Sequence, residues 1–265
     1  EHMLQPNEVT FTSLISAYAK RSSAAKASQL LESMLAEKLS PTVETYTAIM
    51  DSCASSGDVD QSVQWLQKML REKITPDTLT FNCVIKSCVR AGQPSEAVKW
   101  LDRMVEANLR PTQMSYTTVI DSFVKEDDCD SASSWFERMT GAGIKPDMVA
   151  FTTLITGFAR RGATDQAARL LEIARASVLA PDTACYNTLM DACARTGDVS
   201  RAAVWMNNMV SGEVLPNLVS YNSMLKACGK AGDVTSAFEW LEAIEEAQLQ
   251  PDIISWSSAL AACGN

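Results

Sequence analysis

Apolar residues recur along the chain at helical spacing, and no segment carries the alternation of a strand. Phe11, Leu14, Ile15 and Tyr18 fall at i, i+3, i+4 and i+7, the stripe that an amphipathic helix buries. Tyr46, Ile49, Met50 and Cys53 repeat the stripe, as do Tyr186, Leu189, Met190 and Cys193. A second stripe follows each first one, for example Ala27, Leu30, Leu31 and Met34, or Ala97, Trp100, Leu101 and Met104. Between the two stripes stands a glycine (Gly57, Gly92, Gly162, Gly197, Gly232), where a helix C-terminus favours one. Asp60, Asp130 and Asp165 then suit the N-terminus of the second helix, and Pro94 suits its first turn. An apolar residue two before a proline (Leu39, Ile74, Leu109, Ile144) closes the pattern.

The prolines set the period. Pro6, Pro41, Pro76, Pro111, Pro146, Pro181, Pro216 and Pro251 are spaced by 35 residues without drift. Self-similarity at such a period marks a solenoid, because one helical hairpin cannot bury its apolar face without stacked neighbours. The expected units span 8–42, 43–77, 78–112, 113–147, 148–182, 183–217 and 218–252, with a partial eighth over 253–265. Residues 1–7 read as the end of a preceding unit behind Glu1-His2-Met3, a likeness to an expression-vector scar. Trp65, Trp100, Trp135, Trp205 and Trp240 share one place in the second helix. The architecture predicted is an all-α superhelical solenoid of helical hairpins.

Chemistry narrows next. His2 is the sole histidine of the 265 residues, so a Ser-His-Asp triad, a Cys-His pair and a His-ligated zinc are excluded once the scar is set aside. Cys53, Cys88, Cys193, Cys228 and Cys263 occupy one repeat place, where other units put Tyr18, Phe123 and Phe158. A place that accepts thiol or ring is a packing place. Cys83, Cys129 and Cys185 share none and make no CxxC spacing, so structural thiols and a reducing compartment are expected. Asp51, Asp121 and Asp191 recur only in every second unit, too far apart to share an ion. The run Glu126-Asp127-Asp128 replaces one glycine turn and reads as a solvated loop. No phosphate-binding loop or nucleophile motif is present. No enzyme, cofactor or membrane span is expected.

What remains is a polar stripe on the first helices. Thr12, Ser16 and Lys20 share one face, with Val9 beside it. The last member of that stripe runs Lys20, Ser55, Arg90, Lys125, Arg160, Arg195, Lys230 across the units, cationic in all but one. The whole chain, in contrast, carries a net charge of -9, from 32 acidic and 23 basic residues. The first member runs Thr12, Thr47, Asn82, Thr117, Thr152, Asn187, Asn222, only small side chains able to meet base edges. Val9, Leu79, Met114, Val149 and Val219 adjoin them. Cations for phosphates, polar groups for edges and apolar side chains against base faces suit single-stranded nucleic acid. A macrodipole complement for the cations, with neutral filler for Thr and Asn, is the plainer reading of either column alone. A scaffold for a peptide or protein partner is the alternative function, and it has no use for the cationic column.

Units such as Val219-Ser220-Tyr221-Asn222-Ser223-Met224-Leu225, ending in Leu249-Gln250-Pro251-Asp252, resemble pentatricopeptide repeats of the 35-residue type over residues 8–252 and beyond. The resemblance implies a right-handed superhelical solenoid of helix-turn-helix repeats that binds single-stranded RNA, one base per repeat, in mitochondrial or chloroplast RNA processing, stability or translation. It implies that each base is read by the residue after the first-helix aromatic together with the residue after the proline. Those pairs are Thr12 with Thr42, Thr47 with Asp77, Asn82 with Thr112, Thr117 with Asp147, Thr152 with Asp182, Asn187 with Asn217, and Asn222 with Asp252. By the family's pairing the site reads 5′-(undefined)-G-(C/U)-G-G-C-U-3′. Val9, Leu79, Met114, Val149 and Val219 would sandwich bases, while Lys20, Arg90, Lys125, Arg160, Arg195 and Lys230 would hold phosphates. Glu44 and Ala184 stand where the family has an apolar sandwiching residue, and Ser55 stands in the cationic column. The second unit is therefore expected to grip its base weakly.

Overall fold

The computed structural model describes residues 6–21, 23–177 and 179–264, and the expected scar Glu1-His2-Met3 lies outside them. The described residues form fifteen α-helices and no strand. The first helices of the hairpins are α1 (Glu8–Lys20), α3 (Val43–Ser56), α5 (Thr78–Arg90), α7 (Gln113–Lys125), α9 (Met148–Arg160), α11 (Thr183–Thr196), α13 (Leu218–Ala231) and α15 (Ile253–Gly264). Their partners are α2 (Ala24–Ala36), α4 (Val59–Arg71), α6 (Pro94–Glu106), α8 (Cys129–Gly141), α10 (Thr164–Ala176), α12 (Val199–Ser211) and α14 (Val234–Glu246). The chain divides into two compact bodies, Glu1–Lys145 and Pro146–Asn265. No described helix is long and apolar enough to cross a membrane.

Within a hairpin the turn is short because it ends one helix and starts the next with the same few residues. Gly57 adopts a left-handed φ of 73°, and its N–H and that of Asp58 close on the carbonyls of Ala54 and Cys53. Asp58 then caps α4 by accepting from the Gln61 N–H. Asp128, Asp198 and Asp233 cap α8, α12 and α14 in the same way. The capping aspartates thus stand two residues before Asp60 and Asp130, which lie in the first turn and complement the helix dipole. The run Glu126-Asp127-Asp128 is correspondingly more ordered than a solvated loop, with Asp127 at φ 61° in the glycine's place and Asp128 as the cap.

The second helices α2, α4, α6, α8, α12 and α14 end in Schellman motifs. The N–H of Leu39 bonds the Met34 carbonyl and that of Lys38 bonds Leu35, which accounts for the apolar residue that closes each unit. The left-handed position is held by Lys38, Lys73, Asn108, Glu213 and Gln248, with φ between 58° and 60°. Such a conformation favours glycine, and Gly143 supplies one in the fourth unit. Lys73→Gly and Glu213→Gly should therefore each stabilise the protein by about 1 kcal/mol. Thermal melts of the two single variants and of Gly143→Ala, where the shift should be downward, check the sign.

Packing follows the stripes. Tyr46, Phe81, Tyr116 and Tyr221 tilt against Trp65, Trp100, Trp135 and Trp240 of their own hairpins, with centroids 6.2–6.4 Å apart. Ile15, Ile49, Leu101 and Met104 are wholly buried. Leu14 is exposed despite its place in the stripe, because no described helix precedes α1 to cover it. Cys53, Cys83, Cys88, Cys129, Cys185, Cys193 and Cys228 are buried, and none of them forms a disulfide. Burial pushes the thiols of Cys53, Cys88, Cys185 and Cys228 up to about 11 and that of Cys83 to about 12, so they stay protonated and unreactive at neutral pH. Cys263 differs from its column in being exposed, for α15 has no described hairpin partner.

Candidate nucleic-acid interface

The residues that follow the prolines are helix caps before they are anything else. Thr42, Asp77, Thr112, Asp147, Asp182 and Asn217 are the N-caps of α3, α5, α7, α9, α11 and α13. Each side-chain oxygen accepts from a backbone N–H three residues on, as Asp77 does from Thr80 at 2.8 Å. At α15, Asp252 accepts from the Ile254 and Ser255 N–H groups, both at 2.9 Å. The Ser255 backbone N–H, with smaller help from the Ser255 hydroxyl and the Asn222 amide, holds the Asp252 carboxyl below the usual carboxylate range. In every capping aspartate here the bonds fall on Oδ1. Oδ2 is left over.

Capping brings these residues to the polar stripe of the preceding hairpin. Asn222 Nδ2 donates to Asp252 Oδ1 at 3.2 Å, and Asn187 Nδ2 donates to Asn217 Oδ1 at 3.3 Å. At Thr47 and Thr152 the hydroxyl hydrogen turns inward instead. Thr47 donates to the Val43 carbonyl at 2.8 Å and Thr152 to the Met148 carbonyl at 2.7 Å. Thr12 and Thr42 both lie within 3.2 Å of the Thr45 hydroxyl. Asn82 is buried, and its Oδ1 is among the described buried atoms without a hydrogen-bond partner, as is Thr117 Oγ1. Thr117 belongs to the first compact body and Asp147 to the second.

Beside the stripe lies an exposed apolar column. Val9, Leu79, Met114, Val149 and Val219 are each more than half exposed, and Ile254 of α15 joins them. Apolar side chains left in water at one place in successive hairpins mark a surface that meets something. In the first body, Leu79 and Met114 line a cleft of about 490 Å³ with Thr47, Asp77 and Asn82, a volume suited to a small planar group. Glu44 and Asp51 also line it, offset by Lys86 alone.

The cationic column is exposed throughout but is not uniform. Lys125 pairs with Asp121 at 2.6 Å and Arg195 with Asp191 at 2.7 Å, each within one helix turn. Lys226 adds a second cation to Asp191, and Lys86 reaches Asp51 across to the neighbouring hairpin. Burial opposes ionisation of Asp191, but hydrogen bonds from Lys226 and Arg195 outweigh it and lower its pKa. Among the described residues no ion pair involves Lys20, Arg90, Arg160 or Lys230. The carboxylates at i−4 from Lys125 and Arg195 were visible as a spacing, and Asp121 and Asp191 act as counter-charges rather than ligands. Among the described residues no group of three or more His, Cys, Asp or Glu could hold a metal ion.

The family model for the pentacotripeptide-repeat region of PRORP matches residues 44–206, and that of the PPR repeat family matches residues 6–55 and 216–265. The crystal structure of the pentatricopeptide repeat protein PPR10 from maize aligns with a TM-score of 0.65 at 21% identity, over 98% of this chain and 42% of that one. PPR10 in complex with an 18-nt psaJ RNA element aligns at 0.56 and 18%, over 99% and 52%. Yeast Rmd9p in complex with a 16-nt target RNA aligns at 0.51 and 14%, over 96% and 54%. The chain thus spans about half the length of these structures. No curated protein matches its sequence.

Proposed function

The chain belongs to the pentatricopeptide repeat family, and from that premise we propose that it binds single-stranded RNA sequence-specifically, one base per hairpin, and catalyses no reaction. The observation that carries this is the hydrogen-bonding capacity that four of the seven pairs have left after their structural bonds are made. At Asn222 and Asp252 the remainder is an amide N–H and the carboxylate Oδ2, a donor beside an acceptor. Uracil offers a carbonyl and an N3–H, the complement of that pair. At Asn187 and Asn217 the remainder is amide hydrogens on both sides, which suit the N3 and O2 acceptors of cytosine. At Thr47 with Asp77, and Thr152 with Asp182, the hydroxyl hydrogens are spent inward and only acceptors remain. Guanine, with its N1–H and N2 amine, is the base that supplies donors to both. Local capping and the base preferences inferred from the family therefore agree in kind.

The exposed apolar column would contact base faces and the cationic column the phosphates, leaving polar contacts to set sequence. Two structural neighbours hold RNA, as their descriptions say, and family membership supports a mitochondrial or chloroplast setting. Selection of bound RNAs from a random pool tests the reading. Enrichment of G-(C/U)-G-G-C-U is the expected result, and a pool that gains no common sequence would refute it.

A further inference from the structure

We infer that the hydroxyls of Ser220 and Ser255 are positioning residues that fix which way the reading amides of Asn187 and Asn222 face. The inference rests on the base-per-hairpin reading above and adds a third side chain to each of those two pairs. Ser255 Oγ donates to Asn222 Oδ1 at 2.6 Å, and Ser220 Oγ donates to Asn187 Oδ1 at 2.7 Å. Each serine stands three residues after the cap, wholly buried in the first turn of the next first helix. The asparagine is thereby held from both ends: a donor meets its Oδ1, and the cap oxygen accepts from its Nδ2. Turned over, the amide would set its oxygen 3.2 Å from Asp252 Oδ1 and lose the serine's hydrogen. The upright amide presents N–H to a base, whereas the turned one presents oxygen. Since an oxygen beside Asp252 is the acceptor-only arrangement suited to guanine, the serine hydroxyl decides between U and G without touching either.

The third hairpin shows the arrangement undone. Ser115 occupies the corresponding place and makes the same cap contacts as Ser220 and Ser255, lying 3.1 Å from Thr112 Oγ1 and accepting from the Thr112 N–H, but among the described residues no hydrogen bond joins it to Asn82. Asn82 Oδ1 is left buried without a partner. A threonine that gives its hydrogen to the i−4 carbonyl, as Thr47 and Thr152 do, has no amide to turn and needs no such device. Accordingly the fifth unit is followed by Cys185 at the serine's place.

The test is a competition between U-ended and G-ended forms of the seven-base RNA, with binding measured for the intact protein and for Ser255→Ala and Ser255→Thr. Loss of one oriented hydrogen bond should cut the U-over-G ratio about three- to tenfold in Ser255→Ala, while Ser255→Thr, which keeps the hydroxyl, retains it. Ser220→Ala should likewise erode the preference for C over U at the sixth base. Thr80→Ala removes the same capping hydroxyl beside Thr47, so it should lower thermal stability comparably and leave the second base's preference intact. A Ser255→Ala protein that weakens for both RNAs alike overturns the inference, as does one that keeps its ratio, or a Ser255→Thr protein that loses it. A parent protein that does not distinguish the two RNAs overturns the base-per-hairpin reading, and the inference with it.

Discussion

Replacing Lys20, Arg90, Arg160 and Lys230 together with alanine should weaken RNA binding by about two to three orders of magnitude near 0.1 M salt, equally for matched and mismatched sequences. These are the cations of the column that no ion pair in the described structure engages, so each is available to displace a counterion from a phosphate. Log affinity against log salt should slope at about -3 in the parent protein (roughly -0.7 per contact) and lie near zero in the quadruple variant. Lys125 and Arg195 behave differently because Asp121 and Asp191 already neutralise them at 2.6 and 2.7 Å. Removing those carboxylates should therefore strengthen binding. Asp121→Asn with Asp191→Asn should steepen the slope to about -4 or beyond, since Asp191 also occupies Lys226. Fold stability should hardly move, as exposed pairs of this kind contribute about 0–1 kcal/mol. Salt titrations of the three proteins decide it. A quadruple variant with the parent's slope would remove the cations from the interface.

How much of this was legible beforehand differs between features for physical reasons. Helix positions were legible because a 35-residue step and a 3.6-residue stripe are both written in side-chain hydrophobicity. The capping role of Asp77, Asp182 and Asn217 was legible in principle, since a short polar residue ahead of an apolar stripe is a helix-start signal. It was overshadowed by their resemblance to base readers; the structure shows the capping bonds, which leave other atoms of the same side chains for the proposed contact with a base. The left-handed ends of the second helices were not legible, because lysine, glutamate and glutamine at Lys73, Glu213 and Gln248 carry no signal for positive φ. Tertiary closure imposes that conformation, and only the apolar residue after each one hints at it. The serine hydroxyls beside Asn187 and Asn222 were equally hidden, for their partners lie 33 residues away. The split of the cationic column into paired and unpaired members depends on where carboxylates fall at i−4. That spacing is readable, but whether a side chain closes it is settled by geometry.

Asn222→Thr should move the preference at the seventh base from U to G and leave the other six unchanged. In the parent protein Asn222 carries its hydrogen bonds sideways, giving Nδ2 to Asp252 and taking the Ser255 hydroxyl on Oδ1, which leaves a second amide hydrogen for a base. A threonine placed there lies four residues after Leu218 and would give its hydrogen to that carbonyl, as Thr47 does to Val43 and Thr152 to Met148. Its lone pairs and Asp252 Oδ2 then form an acceptor-only edge. Uracil's carbonyl would face oxygen where it had faced N–H, while guanine's N1–H and amine would both find partners. The swing should be on the order of 1–3 kcal/mol, the scale of a paired base contact. Ser255 still has the Asp252 carboxylate to bond at 3.0 Å, so α15 keeps its cap, and Lys230 is unchanged. Affinity of the variant for the G-ended RNA should accordingly return to about the parent's value for the U-ended one. Competition between the two RNAs against both proteins measures this. Equal losses for both would make Asn222 a structural residue that reads nothing, whereas a reversal assigns the base at this hairpin to the hydrogens its reading pair has left to give.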